Sequence, residues 1–234
     1  MIQINSLVKE YSGIVVLNIP ELTIPQGESF GLVGNNGAGK TTLFRLILDL
    51  TAPFTGDILI DGLTVARHEE WKNITASFLD ESFLIDFYTP EEYFVFVGKL
   101  YGRAKEEIDE FLLEMEELFN GEIMGKKKLI REYSKGNQKK IGIAAALLGK
   151  PKILILDEPF TALDPTSQIR LKRILNDYRK KENMTMLISS HDLNHITDVC
   201  SRIVILEKGR LVRDIETAGD SLELLKELES YFNV

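Results

Sequence analysis

Gly34-Asn35-Asn36-Gly37-Ala38-Gly39-Lys40-Thr41-Thr42 is the stretch that decides the fold of this 234-residue chain. The stretch fills every fixed position of the pattern G-x-x-x-x-G-K-[ST], in which glycines let backbone N–H groups close around phosphate oxygens. The ammonium of Lys40 suits the β- and γ-phosphates of a nucleotide, and the hydroxyl of Thr41 suits Mg²⁺. The stretch therefore predicts a phosphate loop (residues 34–42), and we assign all nine residues to nucleotide binding.

The sequence on either side of the phosphate loop fits this interpretation. Residues 29–33 form a short apolar run that is typical of a buried strand. Behind the loop, apolar positions repeat at the spacing of one helix face, and they are Leu43, Leu46, Ile47 and Leu50. The loop is thus expected between a strand and a helix N-terminus, where unpaired N–H groups and the helix dipole favour an anion.

Composition restricts the compartment and the class of partner. The formal net charge of −8 argues against general nucleic-acid binding, which needs a basic face. The single cysteine, Cys200, cannot form an internal disulfide, which fits a reducing cytoplasm. The first residues lack the regions of a signal peptide, and no apolar stretch reaches the ~20 residues that span a bilayer. We therefore expect a cytoplasmic protein that reaches a membrane only through a partner.

The order of strand-like and helix-like segments predicts an α/β fold. Short β-branched runs come first, helix-like segments fill about residues 82–150, and strands then alternate with helices again. One of these helices is expected to begin with a capping box at Thr89-Pro90-Glu91-Glu92. We expect a single domain, 1–234, in which the helical segment 82–150 is inserted into an α/β core formed by 1–81 and 151–234. Residues 221–232 have the pattern of a closing amphipathic helix.

A second motif follows the fully apolar strand predicted at residues 153–156. Asp157 stands at its carboxyl end, the position of the Walker B acid that holds Mg²⁺ in nucleotide-hydrolysing enzymes. The adjacent Glu158 can orient or deprotonate the attacking water, which is a main demand of in-line hydrolysis. His191 follows another strand, and the carboxyl ends of parallel strands share one crevice with the ligand. Asp157 is therefore a candidate metal ligand, and Glu158 and His191 are candidate catalytic residues.

A third motif, the signature Tyr133-Ser134-Lys135-Gly136-Asn137, precedes a helix-like segment and has two interpretations. On the simpler one, Ser134 is a helix N-cap. Taken with the phosphate loop, Asp157-Glu158, Ala162-Leu163-Asp164 and Ser190-His191-Asp192, however, the order along nearly the whole chain resembles the ATP-binding subunit of ABC transporters. The resemblance implies a P-loop NTPase core with an N-terminal antiparallel β subdomain and an inserted α-helical subdomain.

The resemblance also implies a composite site. Two copies would form a homodimer around two molecules of Mg-ATP, and each phosphate loop would face the other copy's signature residues Ser134, Lys135, Gly136 and Asn137. Tyr11 takes the place of the aromatic residue that stacks on adenine, and Asp164 that of the loop at the dimer interface. Asp164, followed by Pro165, is equally expected to be a helix N-cap. Glu81 takes the place of a glutamine near the metal, so the expected Mg²⁺ ligands are Thr41, Asp157 and Glu81.

The implied function is ATP hydrolysis that drives a separately encoded integral membrane permease, with this chain peripheral on the inner face of the cell membrane. The signature and Glu81 depart from the usual family residues and are similar to the branch for export of drugs, antibiotics or ions. The alternative is a soluble ABC-type ATPase switch acting on a non-transport complex. The aromatic segment 83–88 either fills the core or lines a groove for a short helix of the membrane subunit.

Overall fold

The computed structural model describes residues 1–217, which form two β-sheets and a layer of helices. The helix predicted over 221–232 lies outside the described residues. The strands are β1 (Ile2–Tyr11), β2 (Ile14–Ile24), β3 (Ser29–Val33), β4 (Thr55–Ile60), β5 (Leu63–Thr64), β6 (Thr75–Phe78), β7 (Ile153–Leu156), β8 (Thr185–Ser190), β9 (Arg202–Glu207) and β10 (Arg210–Glu216). The helices are α1 (Lys40–Ile47), α2 (Pro90–Leu100), α3 (Lys105–Phe119), α4 (Lys135–Leu148), α5 (Pro165–Glu182) and α6 (Leu193–Thr197).

The N-terminal strands form the smaller sheet, with the order β2-β1-β4-β5 and antiparallel pairing throughout. One face of β1 and β2 is buried and contributes Ile2, Ile4, Leu17 and Ile19 to the core. An alternation of buried and open positions is what a half-buried antiparallel strand requires. The expected N-terminal antiparallel β subdomain is confirmed.

The larger sheet positions the nucleotide-binding motifs. Its order is β10-β9-β3-β8-β7-β6, and the five strands from β9 to β6 run parallel to their neighbours, while β10 is antiparallel to β9. Strands β3, β7 and β8 are buried along their whole lengths, because helices and the smaller sheet cover both faces. The pairing of Val33 with Ser190 and of Phe78 with Leu156 brings these strands to an end at one edge.

The helices α2, α3 and α4 lie within the segment that we expected to be helical. Thr89 caps α2 through the predicted capping box, since its hydroxyl accepts from the Glu92 N–H and the Glu92 carboxylate accepts from the Thr89 N–H. Helix α4 packs against β6, and its buried residues join one apolar cluster with the larger sheet. The inserted helical layer and the α/β core therefore share a common core.

One residue of the predicted α1 stripe is placed differently. Leu43, Leu46 and Ile47 are buried as expected, but the helix ends at Ile47 and Leu50 is 52% exposed. The chain leaves the helix through Asp49, whose φ of 53° is left-handed. The expectation that Leu50 continues the apolar face was therefore wrong, because the turn rotates the side chain away from the core.

No helix within residues 1–217 is long and apolar enough to cross a bilayer.

Candidate nucleotide site

The motifs meet at the carboxyl edge of the larger sheet. The phosphate loop follows β3, Asp157 and Glu158 follow β7, and His191 follows β8. In an open parallel sheet, ligands bind outside this edge where neighbouring connections leave in different directions. The sheet thus gathers residues that are more than 100 positions apart in the sequence.

The phosphate loop wraps the start of α1 and leaves an open cleft. Gly39 occupies the N-cap position with a φ of 111°, and α1 begins at Lys40. The cleft has a volume of about 280 Å³ and is lined by Tyr11, Val16, Asn36–Thr42 and Glu158. Its floor is a helix N-terminus, which favours the negative charge of phosphate groups.

Lys40 is buried at the base of the cleft. Its Nζ donates to the carbonyl oxygen of Gly34 at 2.6 Å and lies 3.2 Å from Oε1 of Glu158. The ammonium is thus held between the loop backbone and the candidate catalytic carboxylate. A cation held in this way can act on incoming phosphate oxygens with little reorganisation.

Thr41 and Asp157 form the core of the expected metal site. The Thr41 hydroxyl donates to Oδ2 of Asp157, and the hydroxyl of Ser189 on β8 donates to Oδ1. Mg²⁺ prefers oxygen ligands and is commonly held by one or two carboxylates together with substrate phosphates. The adjacent hydroxyl and carboxylate fit this requirement. Within residues 1–217, no group of three or more His, Cys, Asp or Glu side chains is arranged to hold a metal by itself.

Glu158 links the phosphate loop to His191. Its Oε2 lies 2.9 Å from Nδ1 of His191, and its Oε1 is buried, faces Lys40 and accepts no hydrogen bond. The backbone of Glu158 has a left-handed φ of 48°, which is uncommon for a residue with a side chain. Strained backbone of this kind occurs often at functional sites. The turn after β7 thus aims this carboxylate at the cleft.

Lys139 on α4 is a site residue that our sequence analysis did not find. Its Nζ donates to the carbonyl oxygen of Glu158 at 2.8 Å and to Oγ1 of Thr161 at 2.7 Å. Burial lowers the pKa of Lys139, and the nearby carboxylates of Glu81, Glu158, Asp157 and Asp80 oppose that shift. The sequence does offer one clue to Lys139: it lies four residues after Lys135 of the signature, and residues at that spacing share one face of a helix.

Glu81, the third expected Mg²⁺ ligand, turns towards α4. It opens a short 3₁₀ turn (Glu81–Phe83) after β6, and its Oε2 lies 3.9 Å from Nζ of Lys135. Its carboxylate also acts electrostatically on Lys139. The side chain therefore lies beside Lys135 of α4, and the role of Glu81 towards a metal stays a prediction.

The signature forms the first turn of α4. Ser134 is the N-cap, and its Oγ accepts from the Asn137 N–H at 3.3 Å, as the simpler interpretation predicts. At Gly136, an added Cβ would lie 2.5 Å from the carbonyl oxygen of Ala162, so the loop before α5 leaves no room for a side chain. Within the described part of the chain, the signature contacts Glu81 and this loop, and Ser134 and Lys135 are exposed.

Tyr11 and Asp164 are the two remaining residues of the predicted site. Tyr11 lines the cleft, is 49% exposed, and has Nζ of Lys9 4.7 Å from its ring centroid. Asp164 is the N-cap of α5, where its carboxylate accepts from the Ser167 N–H at 3.0 Å. The hydrogen bonds from Ser167 lower the pKa of Asp164. The expected N-cap is confirmed, and the interface role of Asp164 stays a prediction.

A second concave surface lies behind Glu81. This groove has a volume of about 410 Å³ and is bounded by the 3₁₀ turn, α2 and α4. The aromatic segment contributes Phe83, Leu84 and Ile85 to its wall, while Phe87 packs edge-on against Tyr88. Part of the segment therefore lines a groove, and Leu84 is also buried in the core.

Comparisons with known proteins agree with this geometry. A family model described as ABC transporter matches residues 17–161. An ABC transporter ATP-binding protein of Synechocystis sp. is 32% identical over 90% of this chain, and the chain spans 58% of that protein's length. The tungstate uptake system ATP-binding protein of Peptoclostridium acidaminophilum is 33% identical, over 90% of this chain and 96% of that protein.

Among solved structures, the ATP-binding subunit of an ABC transporter superposes with a TM-score of 0.84. It is 28% identical, and the superposition covers 98% of this chain and 99% of that subunit.

Proposed function

Because this chain belongs to the ABC transporter family, we propose that it is an ATP-binding and ATP-hydrolysing subunit that drives a separate membrane permease. The observation that carries the proposal is the position of Glu158. Its carboxylate faces Lys40 of the phosphate loop on one side and His191 on the other, beside the contact between Asp157 and Thr41. These are the groups that in-line attack of water on a γ-phosphate requires.

The residues have distinct parts in the proposed reaction. The cleft holds the triphosphate on the N–H groups of the phosphate loop, and Tyr11 supplies a face for the adenine. Lys40 neutralises charge on the β- and γ-phosphates as the terminal bond breaks. A bound Mg²⁺, held by Thr41 and Asp157 and approached by Glu81, would neutralise further phosphate charge. Glu158 orients the attacking water and accepts its proton, and His191 fixes the Glu158 carboxylate.

The proposal includes a homodimer in the ATP-bound state. The cleft of one molecule is open, and the N-terminus of α4, with Ser134, Lys135, Gly136 and Asn137, is free to face another molecule. A γ-phosphate between two helix N-termini would be stabilised by both dipoles. Asp164, next to the signature, would then lie at the interface.

The groove behind Glu81 is the proposed contact with the permease. It joins the 3₁₀ turn that bears Glu81 to the exposed apolar end of α2. An apolar groove of this kind suits a short amphipathic helix. Through this contact the chain would lie in the cytoplasm, on the inner face of the cell membrane.

We also propose that the transporter exports its substrate. This proposal rests on the similarity of the signature and Glu81 to the export branch. One relative is named for uptake, so the family includes the opposite direction. Uptake of radiolabelled candidate substrates into inside-out vesicles that contain the complex decides between the two directions.

The experiment that tests hydrolysis is Glu158→Gln, which keeps the size of the side chain and removes its charge. We expect steady-state ATPase activity to fall by about 100-fold or more, because the general base is lost. We also expect an ATP-dependent dimer by gel filtration, since closure no longer leads to turnover. Glu106→Gln, at an exposed position on α3, is the matched control. Unchanged hydrolysis in Glu158→Gln would contradict the role of Glu158, and a wild-type chain without ATPase activity would contradict the proposed function.

A further inference from the structure

A buried lysine lies between the two acidic loops of the site. Lys139 is only 6% exposed, although lysine is among the residues least often buried. Burying an ammonium without partners is costly, so its surroundings must compensate for lost hydration. Two direct hydrogen bonds, to Glu158 O and Thr161 Oγ1, and four nearby carboxylates provide that compensation.

The hydrogen bonds of Lys139 fix the turn that aims Glu158. Thr161 Oγ1 also donates to Glu158 O at 2.8 Å, so this carbonyl accepts two hydrogen bonds. The same residue has the left-handed φ of 48°, a conformation that the surroundings must hold. With its carbonyl fixed, the Glu158 side chain points to Lys40 and His191.

Lys139 also lies on the side of α4 towards which Glu81 turns. Lys135 and Lys139 are four residues apart and share one face of α4, and the 3₁₀ turn with Glu81 packs against this helix. Of the carboxylates that act on Lys139, that of Glu81 has the largest effect. Two residues further on, Phe83 begins the wall of the groove. Lys139 is therefore held by hydrogen bonds at the turn beside the cleft and interacts electrostatically with the loop beside the groove.

We propose that Lys139 is a positioning residue that holds the Glu158 turn in its active conformation and offsets the negative charge of Glu81. This role rests on the proposed ATPase function. A carboxylate at position 81 adds negative charge near the phosphates, and the buried ammonium lowers the electrostatic cost of that charge. Lys139 and Glu81 are thus electrostatically coupled. The effect of substituting either residue on stability and activity depends on whether the other is present.

The pairing is tested without nucleotide by thermal unfolding of the wild type, Lys139→Met, Glu81→Gln and the double variant. We expect Lys139→Met to lower Tm by about 4 °C or more, since the nearby carboxylates lose a buried cation and the Glu158 carbonyl loses a donor. Glu81→Gln should recover part of that loss in the Lys139→Met background but stabilise the wild type little or not at all. Additive shifts across the four proteins would overturn the pairing.

The positioning role is tested by ATPase kinetics of the same four proteins. We expect Lys139→Met to lower kcat by about tenfold or more with KM for ATP nearly unchanged, because a small displacement of Glu158 affects the chemical step more than binding. The double variant should recover part of kcat. Lys180→Met, at an exposed position on α5, is the matched control and should behave as wild type.

A wild-type kcat in Lys139→Met would overturn the positioning role. So would a loss of activity that only follows the fraction of unfolded protein at the assay temperature. An inactive wild-type chain would instead contradict the proposed function, and the unfolding experiment would still decide whether Lys139 and Glu81 are paired.

Discussion

Each side chain at the carboxyl edge of the larger sheet is held by a neighbour from another strand or helix. Asp157 accepts from Thr41 of α1 and Ser189 of β8, and Glu158 is fixed by Lys139 and His191. Lys40 Nζ also lies 3.2 Å from Glu158 Oε1, so the fold itself places charged groups side by side. Preorganised charge of this kind accelerates a reaction because little reorganisation is needed in the transition state.

Tyr11 differs from these residues because its ring is half exposed at the rim of the cleft. Tyr11→Ala should raise the Kd for ATP about 5- to 150-fold, since stacking of a base on an aromatic ring contributes about 1–3 kcal/mol. The affinity for inorganic triphosphate should be unchanged. Titration with a fluorescent ATP analogue measures this effect, and Phe54→Ala, at another exposed aromatic side chain, is the control. Equal affinities of Tyr11→Ala and wild type for ATP would refute the stacking role.

At the scale of elements, α4 connects the cleft to the groove. Its first turn carries the signature and its second carries Lys139, while Gly142, Ala145 and Ala146 form the floor of the groove. At Gly142, an added Cβ would lie 2.1 Å from the ring of Phe78 on β6. A glycine inside a helix costs about 1 kcal/mol in helix propensity, and the close packing of α4 on β6 requires it. A shift of α4 would therefore move residues at the cleft and residues that line the groove.

The groove prediction uses two leucines with similar exposure. Leu100 on α2 lines the groove and is 70% exposed, while Leu113 on α3 is 77% exposed and lies outside the groove lining. Leu100→Glu should weaken binding to the permease by about tenfold or more, because a carboxylate would be buried against an apolar helix. Leu113→Glu should bind normally, and both variants should keep basal ATPase activity. Sedimentation with native membrane vesicles stripped of the endogenous chain measures binding, and equal binding of the two variants would contradict the docking role.

At the scale of the whole molecule, the cleft and the signature are two separate surfaces of one chain. Lys40 and Glu158 touch within one chain, whereas the N-terminus of α4 faces Glu81 and the loop before α5. In a two-fold dimer, each surface would meet the other one on the partner. In the proposed dimer, one molecule would supply the loop and the catalytic carboxylate of a site, and its partner would supply the signature.

Mixing inactive variants tests this division. Lys40→Ala and Ser134→Arg should each lack ATPase activity, and their mixture should recover activity, because one site of the mixed dimer contains neither change. Mixing Lys40→Ala with Glu158→Gln should recover nothing, since both changes affect the loop side and every site contains one of them. A steady-state ATPase assay of the mixtures measures the outcome. No recovery in the first mixture, or equal recovery in both, would contradict the composite site.

The sequence by itself determined the phosphate loop, the acids after β7, the N-caps at Thr89, Ser134 and Asp164, and the order of strands and helices. These features depend on local spacing, backbone conformation and the identity of a few residues, which a linear pattern records. The end of α1 before Leu50 was missed because a single left-handed turn at Asp49 leaves no such pattern.

Only the tertiary structure decided which of these residues touch. The support of Asp157 by Ser189, the groove behind Glu81 and the hydrogen bond from Lys139 to the Glu158 turn all depend on the strand order and on how closely α4 packs against β6. Such contacts join residues far apart in the chain, and their energies come from burial and charge that exist only after folding. A lysine in a helix is a solvated charge in the sequence, and it becomes a functional candidate only when the fold removes its water and surrounds it with carboxylates.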